Sequence, residues 1–164
     1  MRLPLVDFPR FWLILVDSLV WAVLQPAIGW LAFKFPDSWI DFRRPWYQSW
    51  PWEEEGHVYQ RVFAIRSWKD RIPSGGRLYK EGFSMDRIKG WDENTIQRWI
   101  TESCRAELCH WMAILPSAVF FLWNPWHIGI FMVVYALAFN AIPIIIQRYN
   151  RPRLLRVLER IRSD

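Results

Sequence analysis

The string TESCRAELCHW, residues 101–111, puts Glu102, Arg105, Glu107 and His110 within three helical turns. On a helix Glu107 and His110 are three apart and share a face. An imidazole oriented by a carboxylate accepts a proton from a hydroxyl, which makes His110 a candidate general base and Glu107 its orienting partner. Both stand where an apolar stretch begins, and ionisable groups at such depth are costly, so they tend to be paired or functional. The structural alternative is that Glu107 pairs with Arg105 or Arg148 while His110 is simply interfacial. Glu-x-x-His is also half of a carboxylate di-metal motif, but a second Glu-x-x-His is missing and neither His57 nor His127 has the spacing, so no metal is expected.

Two further strings carry polar groups. In YQRVFAIRSWKDRIP, residues 59–73, Arg66, Trp68 and Lys69 combine a planar fork and a point charge suited to phosphate. The competing reading is a solvated or lipid-facing basic face. In NAIPIIIQRYNRPRL, residues 140–154, Asn140 lies inside an apolar run. Arg148, Tyr149, Asn150 and Arg151 follow at its end, and Pro152 is expected to redirect the chain. These residues either anchor the chain at the interface or line one polar pocket with Glu107 and His110. Cys104 and Cys109, five apart, face different sides and read as buried free thiols rather than a disulfide or a nucleophile. Ser74-Gly75-Gly76 is too short for a phosphate loop, and no Gly-x-Ser-x-Gly elbow occurs.

The elements that must position these residues are legible in the hydropathy. Residues 11–33 form an apolar run broken by Asp17, Gln25, Pro26 and Gly29. Crossing a bilayer takes roughly 20 such residues. A cleaved signal peptide would have a shorter core and a small-residue cleavage site, so a retained helix is expected. Residues 106–123 and 126–146 are two more apolar runs around the turn signal Asn124-Pro125, predicting a transmembrane hairpin. Between them, residues 34–103 hold 12 Lys or Arg and 11 Asp or Glu, with Pro36, Pro45, Pro51 and Pro73 as breaks. Short helices are expected at 53–64 and 92–104, the second capped by Asp92 and burying Ile96, Trp99 and Ile100. Thirteen Trp among 164 residues point to a membrane interface. Six Arg in the last 18 residues make residues 147–164 a basic cytoplasmic tail, so the 34–104 segment lies inside and the 124–127 turn and N-terminus outside, against the mild opposition of Arg2 and Arg10. The placement of the positive charge beside an apolar helix argues against nucleic acid as the partner. The fold class is therefore an all-α membrane protein, one multi-pass domain over 1–164 in the cell membrane.

At these motifs the chain resembles the glycosyl-4,4'-diaponeurosporenoate acyltransferase family. The residues that carry the resemblance are Arg66, Trp68 and Lys69 in IRSWK and Arg105, Ala106, Glu107, Leu108, His110 and Trp111 in RAELCHW, with Ile114-Leu115-Pro116 and PIIIQRYNRPRL from Pro143 to Leu154. It spans about residues 50–155. The resemblance implies a membrane enzyme that esterifies the C6 hydroxyl of a glucose on a C30 carotenoid acid with a fatty acyl group. The acceptor would be that glycosylated carotenoid or a related glycolipid, the donor an acyl-CoA or an acyl carrier protein, and no cofactor is implied. His110 would be the base, Glu107 its orienting group, and Arg66, Lys69, Arg148 and Arg151 the ligands of donor phosphates or of the oxyanion. Trp68, Glu102, Arg105, Asn140, Tyr149 and Asn150 complete the expected substrate-binding set. The non-enzymatic alternative is a membrane scaffold whose charged, Trp-rich middle binds a partner. Convergence of Glu107, His110 and Arg148 on one cavity separates the two.

Overall fold

A computed structural model describes residues 4, 5, 9–72, 88 and 90–164. Pro73 and Ser74-Gly75-Gly76 lie outside the described residues. Among those described, the regular structure is helical, with no strand. Helix α1 spans Arg10–Lys34, α2 His57–Phe63, α3 Glu93–Ile114 and α4 Trp126–Ser163. Short 3-10 turns fill much of the rest, and one of them, Leu115–Leu122, continues directly from α3.

Local sequence sets the ends. Pro36 bars its predecessor from helical backbone, and α1 stops at Lys34 with Phe35 extended. Asp92 caps α3 as expected, its carboxylate accepting from the Thr95 amide at 3.0 Å. Ile96, Trp99 and Ile100 then bury one face. They pack with Ile40, Phe42, Tyr47 and Cys104, and with Leu154 and Leu158 of α4. Each fully buried side chain of this kind stabilises the fold by about 1.5–3 kcal/mol.

Two expectations need correction. The predicted boundary between a helix at 92–104 and a span at 106–123 does not exist: α3 runs through it and changes to 3-10 geometry only at Leu115–Leu122. Pro116 offers no N–H for the α-helical ladder, and the chain tightens there. Nor does the C-terminal element end at 146. Helix α4 passes through Pro143 and Pro152 without a break and absorbs the supposed basic tail. Burial of Arg148, Arg151, Leu154 and Leu158 against the rest of the chain holds it in place. The charges at its end are also partly spent within the protein, Arg156 on Glu55 and Arg162 on Glu93.

The packing of α1 fixes which ends are neighbours. Asp17, buried near its start, accepts from Trp123 Nε1 at 2.7 Å and from Asn124 Nδ2 at 2.8 Å. Leu5 donates its amide to the Leu122 carbonyl. At the other end Arg105 donates to the carbonyls of Ala32 and Phe35 and pairs with Asp37. So α1 runs antiparallel to the α3 rod, and the 124–127 turn shares an end with the start of α1. Helices α1 and α4 are long and apolar enough to cross a membrane, and only 11% and 22% of their most apolar windows are buried. Phe11, Ile14, Val23, Phe131, Val134 and Phe139 face outward. Apolar surface on that scale is rarely left to water, and the two helices point to membrane association.

Candidate active site

The polar centre is built where α3, α4 and the segment 46–59 meet. Glu107 is fully buried, and Glu53, Arg148 and Arg151 are 1%, 5% and 1% exposed. Arg148 Nε donates to Glu107 at 2.8 Å, its Nη1 to both oxygens of Glu53 at 3.1 and 3.0 Å, and its Nη2 to the Trp46 carbonyl at 2.7 Å. Arg151 Nη2 lies 2.7 Å from the other oxygen of Glu107 and donates to the Ser103 carbonyl, while Nη1 donates to that of Tyr47. Two guanidiniums thus face two carboxylates, and the cluster is neutral. Isolated, either sign would cost several kcal/mol to bury. The Trp50 ring covers Arg148, with the guanidinium carbon 4.3 Å from its centroid.

Glu53 is the partner that the sequence reading missed. It belongs to Pro51–Gly56, where Glu54, Glu55 and Gly56 all have left-handed backbone, φ 49°, 53° and 85°. Left-handed geometry at non-glycine residues costs roughly 1–2 kcal/mol each. Gly56 is required twice over, since a Cβ there would stand 3.1 Å from Tyr149 Cα and 3.2 Å from its carbonyl oxygen. This close approach seats Glu53 against Arg148. Tyr59 donates its hydroxyl to Glu53. Burial, and then that hydrogen bond to the carboxylate, push the phenol pKa up, so Tyr59 stays a donor. The local signal in the sequence is Gly56, which punctuates the chain, but nothing in the three adjacent glutamates marks Glu53 as the one delivered.

The expected Glu107–His110 pair is not formed. Glu107 serves Arg148, Arg151 and Trp111, whose indole donates to it at 3.3 Å. His110 turns instead to α4, where its Nδ1 lies 2.9 Å from Asn140 Oδ1. Asn140 spends its amide nitrogen on the Ala136 carbonyl, which fixes its oxygen toward the imidazole. An amide oxygen there accepts a hydrogen bond from Nδ1–H, so Nε2 carries the lone pair. Asn140 and Arg148 are eight residues apart on one helix, roughly 12 Å of axial rise. The His110–Asn140 pair therefore forms a separate, deeper layer.

The other expected residues fall around these two layers. Glu102 supports Arg105 at 3.2 Å, and the pair closes the end of α1 rather than the polar centre. Tyr149 packs with Tyr59 and Ile65, with Trp68 against them. Trp68 donates its indole to the Phe63 carbonyl, and Lys69 pairs with Asp70 on the surface. Arg66 is exposed and Asn150 half-buried. Cys104 is buried in the core, and its thiol pKa is pushed up to about 12, mainly by that burial, which removes it as a nucleophile at neutral pH. A cavity of about 180 Å³ opens beside the cluster, lined by Ser49, Glu53, Glu55, Arg148, Arg151 and Glu159 among others. Neither Glu107 nor His110 is in its wall, so the expected convergence joins Glu107 to Arg148 but leaves His110 apart.

A helical protein with two exposed apolar helices, a neutralised ionic centre and an oriented imidazole in a separate layer is the class that this architecture defines. Residues 43–160 match the family described as glycosyl-4,4'-diaponeurosporenoate acyltransferase. Relatives of that name from Staphylococcus aureus strains bovine RF122 / ET3-1, MRSA252 and USA300 are 33% identical over 146 residues, covering 87% of this chain and 88% of each relative. The chain belongs to the glycosyl-4,4'-diaponeurosporenoate acyltransferase family and is an enzyme of the acyltransferase class. No solved structure matches it.

Proposed function

We propose that the protein esterifies a hydroxyl of a membrane-borne glycosylated carotenoid acid, or a related glycolipid, with a fatty acyl group from a thioester donor. The relatives' name supplies the glycosyl-diaponeurosporenoate acceptor. Helices α1 and α4 cross the membrane in this reading, with the charged middle and the end of α4 on the cytoplasmic side, where Arg-rich segments are retained. An acceptor anchored by its polyene carries its sugar to the depth where α4 passes from apolar to charged residues.

His110 is the general base. The observation that carries this role is its held ring: Asn140 Oδ1 accepts a hydrogen bond from Nδ1–H and leaves Nε2 free to accept a proton. Nε2 removes the proton of the sugar hydroxyl as that oxygen attacks the acyl carbonyl carbon. The tetrahedral intermediate collapses, the carbon–sulfur bond breaks, and the departing thiolate takes the proton back from the imidazolium. An ester and a thiol leave, and the enzyme is unchanged. Arg148 and Arg151 act as the frame of the site rather than as phosphate ligands, because Glu53 and Glu107 already cancel their charge. Acyl transfer of this kind gains about 10²–10⁴-fold from a positioned base.

The test is His110→Ala in a strain that depends on this protein, with polar lipids and pigments read by mass spectrometry. Accumulation of the unacylated glycoside at normal protein level is the expected result. Normal acylated product would remove His110 from the reaction.

A further inference from the structure

We propose that the cavity between residues 47–55 and the outer turns of α4 is the acyl-donor subsite, taking the neutral pantetheine arm of the thioester, with the half-exposed Arg156 at its mouth meeting the adjoining phosphate. The inference rests on the acyl-transfer reading above and assigns its donor.

Charge is the first argument. The wall holds three guanidiniums, Arg148, Arg151 and Arg156, against three carboxylates, Glu53, Glu55 and Glu159. Balanced walls do not attract an anion, but they offer donors and acceptors to a neutral chain of amides and hydroxyls. Two such groups are orphaned: Ser49 Oγ and Arg151 Nε are buried without a hydrogen-bond partner. Arg151 is 1% exposed. Buried polar atoms are nearly always satisfied, so these two ask for a ligand. Pro152, Leu155 and the Tyr47 ring add apolar wall for the methylene parts of such an arm.

Size and position decide which neutral group enters. At about 180 Å³ the cavity is smaller than the roughly 300–1,000 Å³ of sites that enclose a whole ligand, so it holds one segment of a longer molecule. Its α4 wall runs from Arg148 to Glu159, beyond the apolar run that ends at Ile146. A sugar tethered by a lipid tail approaches from the other side, near His110. A donor arriving from water passes the cavity first, and an extended arm lying along it points its thioester toward the deeper layer. Arg156, half-exposed and shared with Glu55, stands at the mouth, where an arm that ends in phosphate would leave the slot.

The experiment uses the purified full-length protein in nanodiscs, with palmitoyl-CoA or palmitoylated acyl carrier protein as donor and glucosyl-4,4'-diaponeurosporenoate as acceptor. Ser49→Leu fills the cavity, and Arg156→Gln alters its half-exposed mouth and serves if Ser49→Leu misfolds. Ser49→Leu is expected to raise KM for both donors by about tenfold, the cost of one lost contact and a clash, with KM for the acceptor unchanged. Arg156→Gln should weaken inhibition by coenzyme A but not by pantetheine. A raised acceptor KM with the donor KM unchanged would give the cavity to the sugar and overturn the proposal, as would no change in either. Coenzyme A binding, followed by quenching of Trp fluorescence, needs no turnover. If wild type binds it, Ser49→Leu does not, and no glycoside is acylated, then the acceptor reading fails while the donor subsite stands.

Discussion

The two polar layers of this protein solve the same problem in opposite ways. In the outer layer four ionised groups, Glu53, Glu107, Arg148 and Arg151, are sealed away and cancel one another. In the deeper layer two neutral side chains, His110 and Asn140, share one hydrogen bond and leave a ring nitrogen unspent. A cluster whose members are all engaged holds elements together and has little left for chemistry. A pair with one spare lone pair is poorer as cement and better as a reagent. On the proposed reading the first layer holds the fold and the second moves the proton, and mutations sharpen or break that division.

The largest effect is expected from Glu107→Ala. It strips Arg148 and Arg151 of a shared carboxylate in a fully buried place, and breaking a buried pair costs about 3–5 kcal/mol. The apparent melting temperature in detergent should fall steeply or folded protein should be lost. A small shift would mean that water reaches the cluster and that the contrast between layers is overstated.

His110→Ala should do the reverse. Activity falls about 10²–10⁴-fold while the melting temperature moves little, since a single half-buried hydrogen bond is worth about 0.5–1.5 kcal/mol. Asn140→Leu tests the positioning half of the pair. It removes the acceptor that holds the Nδ1 proton, and kcat should drop with its pH profile displaced. An unchanged profile would return Asn140 to a packing role.

The sequence made these layers unequally legible. Spacing three on a helix, a local rule, singled out His110 and Glu107, but the pair it predicts does not form, whereas the Asp92 cap, also a local signal, is formed as expected. Arg148 as a partner of Glu107 was one of two readings open in the sequence, whereas Asn140, 30 residues from His110, was not legible as its partner, and which carboxylate takes which arginine is decided by how α3 lies against α4. The apolar runs were readable as helices, yet Pro152 gave the wrong end to α4, because tertiary burial of Arg151 and Leu154 outweighs the lost hydrogen bond. Glu53 was hidden among three adjacent glutamates, and only the left-handed turn distinguishes it from Glu54 and Glu55.

Tyr59→Phe sits between the extremes. It deletes a hydrogen bond to a buried carboxylate, and such bonds contribute about 1.5–3 kcal/mol. Thermal stability should fall by part of the Glu107→Ala loss, with KM and kcat nearly unchanged. A selective loss of kcat would bring the outer layer into the chemistry.

The smallest effect is expected at Glu54, and it runs in the stabilising direction. Its φ of 49° is left-handed, and its side chain makes only an exposed pair with Arg61. Exposed pairs contribute roughly 0–1 kcal/mol, whereas left-handed backbone at a residue with a Cβ costs roughly 1–2 kcal/mol. Glycine relieves that strain but adds freedom to the unfolded chain, which takes back about 0.5–1 kcal/mol. At mid-range values the balance for Glu54→Gly is a gain of a few tenths of a kcal/mol, and at most about 1.5 kcal/mol, read as a slightly higher melting temperature with activity kept. The companion Glu53→Gly, one position earlier, removes the carboxylate that Arg148 needs and should behave like Glu107→Ala. If the two neighbours instead gave similar losses, the turn itself, rather than the charge it delivers, would be what holds the outer layer in place.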